Sequence, residues 1–393
     1  MRLALWTPRP HAPWVSALVP VLEREASVAV VDGEVATEPE ADLALFHVDD
    51  APAHAFVHRA LRRRPGVVLL AEWGLHRLVH AETAGGGDVG AYLAEARRAH
   101  GETGDFVARQ VVAGRAGDEI LALLELNDRV LEASLAVCAF TAALRSRAAA
   151  RLPGRPVVHL PLDFVGLHPP RPPKEAARAA LRVPPSSLLV AVLSAPGERA
   201  AGALRATGAA EPGLVLRSWP EEGAAQEALL AAADVAVALE YPPRLGLARP
   251  VARAVVAGLP TIVSAGSGAA GELPEGVVVR VSPGSSEAVE LAAVLVRLVR
   301  DSALRGRVAA LARAHGESRR DPVPAALGLL ALAREVGPAT GAGRADFAAR
   351  REEGDTLRGW ALQELRWRAR DLGLAGLPPG LEPLLAPILG GGR

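Results

Sequence analysis

One short run of the chain crowds together four residues suited to anion chemistry: Glu240, Arg244, Gly246 and Arg249, in Glu240-Tyr-Pro-Pro-Arg244-Leu-Gly246-Leu-Ala-Arg249. They follow the apolar segment 235–239, which places them on a loop at a strand's carboxyl end, where open α/β sheets bind their ligands. Guanidinium groups there can meet phosphate or a carboxylated substrate; otherwise both arginines are simply solvated loop residues. Arg199 takes a comparable place after the apolar run 188–194, and Arg217 ends the run 214–217. In the first half of the chain His54 and His76 stand near strand ends, with Glu72 close by. They are cleft candidates, although a lone histidine is more often a hydrogen-bonded core or surface residue.

Other chemistries do not fit the spacing. Gly266-Ser-Gly268-Ala-Ala-Gly271 satisfies G-x-G-x-x-G after a strand, but Glu272-Leu-Pro274 and another strand follow, so a turn is expected in place of a helix that could hold a dinucleotide pyrophosphate. No P-loop, Gly-x-Ser-x-Gly elbow or zinc-ligand spacing occurs, and Asp49-Asp50 is adjacent, which turns the two side chains apart if the segment is extended.

The elements that must position these residues alternate. Apolar runs at 3–6, 28–31, 43–46, 67–70, 135–139 and 157–159 read as buried parallel strands, with helices expected over 52–64, 89–100 and 118–131. This rhythm predicts a doubly wound domain over 1–164. Residues 165–186 are proline-rich and are expected to be a linker. A second domain over 187–320 opens at 188–194 and continues through strands at 214–217, 235–239, 261–264 and 277–281. Residues 321–393 are expected to hold a crossover helix, at 324–336 or 354–372, and a helical tail.

The ordered series Asp234-Val-Ala-Val-Ala-Leu-Glu240, Ala257-Gly258-Leu-Pro260-Thr-Ile-Val263, Glu272-Leu-Pro274, Val281-Ser-Pro283-Gly284 and Ala293-Val-Leu-Val-Arg-Leu-Val-Arg-Asp301 resembles the donor-binding half of the "glycosyltransferase 1" group, family 4, of nucleotide-sugar-dependent enzymes. In the first half, Phe46-His47-Val-Asp-Asp50-Ala-Pro52-Ala-His54 and Leu69-Leu-Ala71-Glu72-Trp-Gly-Leu75-His76 resemble two further segments of that group. The resemblance implies a GT-B fold, two Rossmann-like domains facing across a cleft with a C-terminal helical extension. It implies metal-independent, retaining transfer from a nucleotide-diphosphate sugar, used as co-substrate with no other cofactor. Candidate roles on this basis are Arg199, Arg217, Glu240, Arg244, Gly246 and Arg249 in donor binding, with His54, His76 and Glu72 in catalysis near the acceptor. The acceptor, whether sugar, lipid-linked or protein, is not identified, and biosynthesis of a cell-surface polysaccharide or glycoconjugate is what the resemblance implies.

Four positions depart from the group's pattern. The loop Thr7-Pro8-Arg9-Pro10-His11 has no glycine, the "H-D" pair reads Ala71-Glu72, Ala195-Pro-Gly197-Glu198-Arg199 lacks the group's lysine, and Leu247 replaces the glutamate after Gly246. The alternative reading is therefore a degenerate, non-catalytic relative that keeps the fold as a binding or scaffold subunit.

Composition narrows the field. Lysine plus arginine and aspartate plus glutamate number 44 each, so no global field draws the chain to nucleic acid. Lys174 is the single lysine and Asn127 the single asparagine, a bias read as GC-rich coding. Cys138, the only cysteine, is expected in the core. No apolar run approaches the roughly 18 residues of a membrane span, and a cytoplasmic protein is the expectation. The 354–372 stretch, if amphipathic, offers a route to a membrane surface or protein partner.

Overall fold

The computed structural model describes residues 1–117, 124–170, 172–221 and 223–337, and the isolated positions 121, 341, 345, 347 and 365. Two parallel sheets organise it. The first contains β1 (Arg2–Trp6), β2 (Ser27–Val31), β3 (Leu43–Val48), β4 (Gly66–Leu70), β5 (Ser134–Ala139) and β6 (Val157–His159), in the order β2-β1-β3-β4-β5-β6. The second contains β7 (Leu188–Val192), β8 (Leu214–Ser218), β9 (Val235–Ala238), β10 (Thr261–Ser264) and β11 (Val278–Val281), in the order β11-β10-β9-β7-β8. The strand order of each sheet reverses once, beside β1 and β3 in the first and beside β7 and β9 in the second. These are the switch points at which a crevice opens beyond the carboxyl ends of the strands.

The apolar runs are continuous because both faces of each sheet are covered. Leu3 and Leu5, Leu43 and Leu45, and Val67 and Leu69 enter the core on one side of the first sheet. Ala4 and Trp6, Ala44 and Phe46, and Val68 and Leu70 enter the core on the other. The period of two thus feeds two separate layers of helices. In the second sheet Leu189 and Ala191 face one core while Val190 and Val192 face the other.

A crossover helix closes the molecule. The helix Pro322–Val336 starts with Asp321 accepting from the Val323 amide (3.0 Å) and with proline in its first turn. It leaves the second domain and buries Ala326, Leu329, Leu330 and Ala333 against the core of the first. The alternative crossover segment, 354–372, lies outside the described residues apart from position 365. Among the described residues, no helix is long and apolar enough to cross a membrane.

Two sequence expectations change. The helix foreseen over 118–131 is confined, among the described residues there, to position 121 and Asp128–Ala133. Residues 124–127 run as a loop, because Glu125 O accepts from the Leu75 amide (2.6 Å) and Asn127 Nδ2 donates to Trp73 O (2.9 Å). The turn foreseen at 266–271 contains a short helix, Gly268–Glu272, capped by Ser267. The helix Lys174–Ala180 falls within the proline-rich 165–186 stretch and is tied to the second domain, with Lys174 and Arg178 both paired to Asp234 (2.6 and 3.0 Å).

Leu329→Ala on the crossover helix should lower unfolding stability by about 2–5 kcal/mol, whereas Leu327→Ala, on the exposed face of the same helix, should change it by less than about 0.5 kcal/mol. Urea midpoints at unchanged slope would test the pair.

Candidate functional site

The carboxyl ends of β1, β3, β4 and β6 face that of β9, and a cavity of about 210 Å³ lies between them. Its wall is rich in charge. Asp49, Asp50, Glu72, Asp163 and Glu240 bring five carboxyl groups, and Arg244 and Arg249 bring two guanidinium groups. Trp14, Phe140 and Leu167 supply apolar surface.

The two domains are clasped directly across this space. Glu72, just past β4, is buried, and its Oε2 accepts from Arg244 Nε at 3.1 Å. Its Oε1 accepts from the Leu245 and Gly246 amides, both at 3.3 Å, and from its neighbour's amide, Trp73 N, at 2.7 Å. Asp50 Oδ2 accepts from the other arm of Arg244 at 3.1 Å, while its Oδ1 takes the amides of Arg77 (2.7 Å) and Leu78 (3.2 Å) at the start of the helix His76–Glu82. Two further bonds stitch the same seam: Thr141 Oγ1 donates to Leu245 O (2.8 Å), and the Ala142 amide donates to Glu272 Oε2 (3.0 Å).

Gly246 is required here by space. A Cβ at that position would press into the Ala71 carbonyl oxygen and sit 3.0 Å from Glu72 Oε2. Gly268 is held the same way from below, since its Cβ would meet the Leu245 and Gly246 carbonyls. The Gly268 amide donates to Arg244 O at 2.6 Å, which ties the start of this short helix to the 244–246 loop.

Burial dominates the electrostatics. It pushes the carboxyls of Glu72 and Asp50 upward, with Arg244 pulling the other way. Glu240 rises to about 7, again through burial first, with Arg244 opposing and Glu72 adding to the rise. Asp163 is raised well above the carboxylate range by burial, reinforced by the nearby Asp49. His47, fully enclosed, is pushed well below its ordinary value by burial and stays neutral. Its Nδ1 shares a hydrogen bond with Thr7 Oγ1 (3.0 Å), and its ring meets the Trp14 ring edge-on at 5.0 Å.

Of the residues singled out from sequence, Glu72, Glu240, Arg244, Gly246 and Arg249 come together around the cavity. The other four do not line it. His54 is buried in the turn behind β3, where its Nδ1 bonds His47 O (2.8 Å). His76 is buried against Tyr92, whose hydroxyl bonds its Nε2 at 3.0 Å, and burial lowers its pKa to about 4. Arg217 is exposed, with its guanidinium on Leu216 O (3.2 Å). Arg199 is exposed at the start of the helix Glu198–Ala210.

Sequence reasoning passed over Trp14, His47, Asp49, Asp50 and Asp163. For His47, Asp49 and Asp50 the signal was their place at the end of β3, beside the switch point. Asp49 and Asp50 both line the cavity because the backbone bends after Val48 and is no longer extended. Asp163 gave no signal: it sits in the 3-10 turn Leu162–Phe164 at the domain junction.

The solved structure of sucrose-phosphate synthase from Thermosynechococcus elongatus superposes with a TM-score of 0.53 at 14% identity, covering 86% of this chain and 100% of that one. The fold is GT-B. Weaker likenesses are the Anabaena protein HepE in complex with UDP and glucose (TM-score 0.46, 15% identity, 85% of this chain and 100% of that one) and the glycosyltransferase WaaG, involved in lipopolysaccharide biosynthesis (0.45, 15%, 82% and 98%). No family model matches the chain, and no curated protein matches its sequence. At such identities the GT-B likeness is one of fold, and fold does not by itself assign chemistry.

The raised pKa of Glu240 makes stability depend on pH. The folded chain holds this proton more tightly than the unfolded chain, so the group's contribution is fully present below about pH 4.5 and is lost as pH rises to about 7. Glu240→Gln should remove that loss, raising stability at pH 8 relative to pH 4.5 by up to about 3 kcal/mol. Urea unfolding of both proteins at the two pH values checks this.

Proposed function

We propose that this chain is a glycosyltransferase that binds a nucleotide-diphosphate sugar across the GT-B cleft and transfers the sugar to an acceptor held against the first domain. The observation that carries the reading is Arg249. It lines the cavity mouth, is exposed, and has no side-chain hydrogen bond or ion pair among the described residues. It also opens the helix Arg249–Val256, where a cation is unfavourably placed against the helix dipole unless an anion joins it. A diphosphate there would satisfy the guanidinium and the helix terminus together.

The chemistry then divides among named groups. As the bond from the anomeric carbon to the diphosphate oxygen breaks, the electron pair passes to the leaving group, and Arg249 stabilises the growing charge without a metal being required. Glu240, with a pKa near neutrality, accepts a hydrogen bond or a proton from a sugar hydroxyl. The acceptor oxygen forms the new bond to the anomeric carbon as its hydroxyl proton passes to the ionised Glu240, with retention at the anomeric carbon as the sequence resemblance implies. Arg244 can assist only after it leaves Asp50 and Glu72, so donor binding has to loosen the clasp. Glu72 is accordingly a positioning residue in this scheme.

Two observations favour a second reading, a non-catalytic binding or scaffold subunit. Arg244 is neutralised across the seam, and a cavity of about 210 Å³ is below the roughly 300–1,000 Å³ of small-molecule sites. Calorimetric titration with UDP, GDP, ADP and TDP separates the two. Micromolar binding to one of them, weakened at least tenfold by Arg249→Ala, is expected for the transferase. No binding by the folded protein to any of the four leaves the scaffold reading.

A closing clasp has its own signature. Glu72→Gln should weaken the hold on the Leu245 and Gly246 amides, so their hydrogen exchange should speed up at least tenfold while the core strands β3 and β9 exchange as before.

A further inference from the structure

We infer that His47 binds the leaving diphosphate from the first domain, its ring Nε2–H donating to a diphosphate oxygen while Arg249 meets the same group from the second. The inference rests on the reading of this cleft as a site for a nucleotide-diphosphate sugar, and it adds to that reading a contact from the opposite wall.

His47 stands near the carboxyl end of β3 and lines the cavity. It is 3% exposed as a residue, and its Nδ1 lies 3.0 Å from Thr7 Oγ1. Nε2 has no hydrogen-bond partner among the described residues, yet it is not sealed from solvent as the Nε2 of His58 is. A residue so enclosed meets solvent where it borders the cavity, so the nitrogen that keeps access is aimed into it. A hydrogen bond needs that one N–H and no open ring face.

Thr7 decides which nitrogen carries the proton. Its side chain is fully buried, and among the described residues His47 Nδ1 is the acceptor its hydroxyl reaches. A hydroxyl proton left unmet at such a place is costly, so Thr7 Oγ1 donates to Nδ1. A neutral imidazole whose Nδ1 accepts carries its proton on Nε2. Burial holds the ring neutral, with His54 and Arg249 adding to the effect. The cavity is therefore offered an uncharged donor.

The ring is also locked. Trp14 meets it edge-on at 5.0 Å, His54 edge-on at 4.6 Å, and Phe140 stacks on it at 5.9 Å. His54 Nδ1 donates to the His47 carbonyl (2.8 Å) and braces the backbone. A donor fixed in advance loses little freedom when a ligand accepts from it.

An acceptor-only ligand suits this donor. Sugar hydroxyls both give and take, and the carboxyl groups of the wall can receive them. Phosphate oxygens accept. Arg249, on the same wall, is near enough for its charge to be felt at the His47 ring, so an anion that meets both donors is held from both domains. As charge gathers on the leaving oxygen, a fixed donor tightens its hold.

The test uses the full chain and inorganic pyrophosphate. Nitrogen–proton NMR should find His47 neutral with its proton on Nε2, and pyrophosphate should shift that resonance. Two substitutions separate the ring nitrogens. His47→Asn keeps an acceptor for Thr7 and loses the cavity donor, whereas His47→Gln keeps a donor near Nε2. Calorimetric titration should show pyrophosphate binding weakened roughly tenfold or more in His47→Asn and less than about threefold in His47→Gln. A proton on Nδ1, unchanged affinity in His47→Asn, or no pyrophosphate binding overturns the inference. If either variant fails to fold, the unsubstituted chain decides: an unmoved His47 resonance at saturating pyrophosphate overturns it. A nucleotide that binds His47→Asn as tightly as the unsubstituted chain overturns the contact and leaves the transferase reading. Pyrophosphate bound at His47 with no nucleotide bound keeps the contact and removes the transferase reading.

Discussion

The structure depends on one buried carboxylate. Glu72 leaves the first sheet at the end of β4 and takes the Arg244 guanidinium and two successive backbone amides of the second domain. Removing a carboxylate from water is expensive unless donors meet it on several sides. Here they do, and nearly all of them come from the opposite domain. Together with Asp50 on Arg244, Thr141 on Leu245 O, Ala142 on Glu272 and the crossover helix, Glu72 holds the two domains and fixes the 244–246 loop.

The clasp also explains the small residues around it. Gly246 and Gly268 are stacked beneath Ala71 and Glu72 with no room for a Cβ at either. The Leu245 and Gly246 amides both point at Glu72 Oε1. Opening this seam would cost Glu72 and Asp50 their donors from the 244–246 loop.

The acids of the cavity form a graded set. Asp50 and Glu72 are met by donors, Glu240 is poised near neutrality, and Asp163 is pushed well upward by burial and by its acidic neighbours. This gradation arises because the groups reach the cavity from different elements. Asp49 and Asp50 come from the bend after β3, Asp163 from a turn at the domain junction, and Glu240 from the loop after β9.

Much of this architecture was legible in the chain itself. Continuous apolar runs bounded by turn residues dictate buried parallel strands, because a strand covered on both faces has no polar side to show. From the same pattern it follows that Glu72, Glu240, Arg244, Gly246 and Arg249 stand at strand ends, and all five meet at the cavity. Which charges pair across the cleft was decided only by the tertiary structure. Arg244 and Glu72 lie 172 positions apart, and no local periodicity relates them. The histidines show the same limit. His54 and His76 share with His47 a place near strand ends, yet packing turns the first into a backbone brace and the second against Tyr92, leaving His47 on the cavity wall. Local sequence determines where a side chain sits along its own element. Whether that side chain meets solvent, a partner or a ligand is settled by what the other domain brings against it.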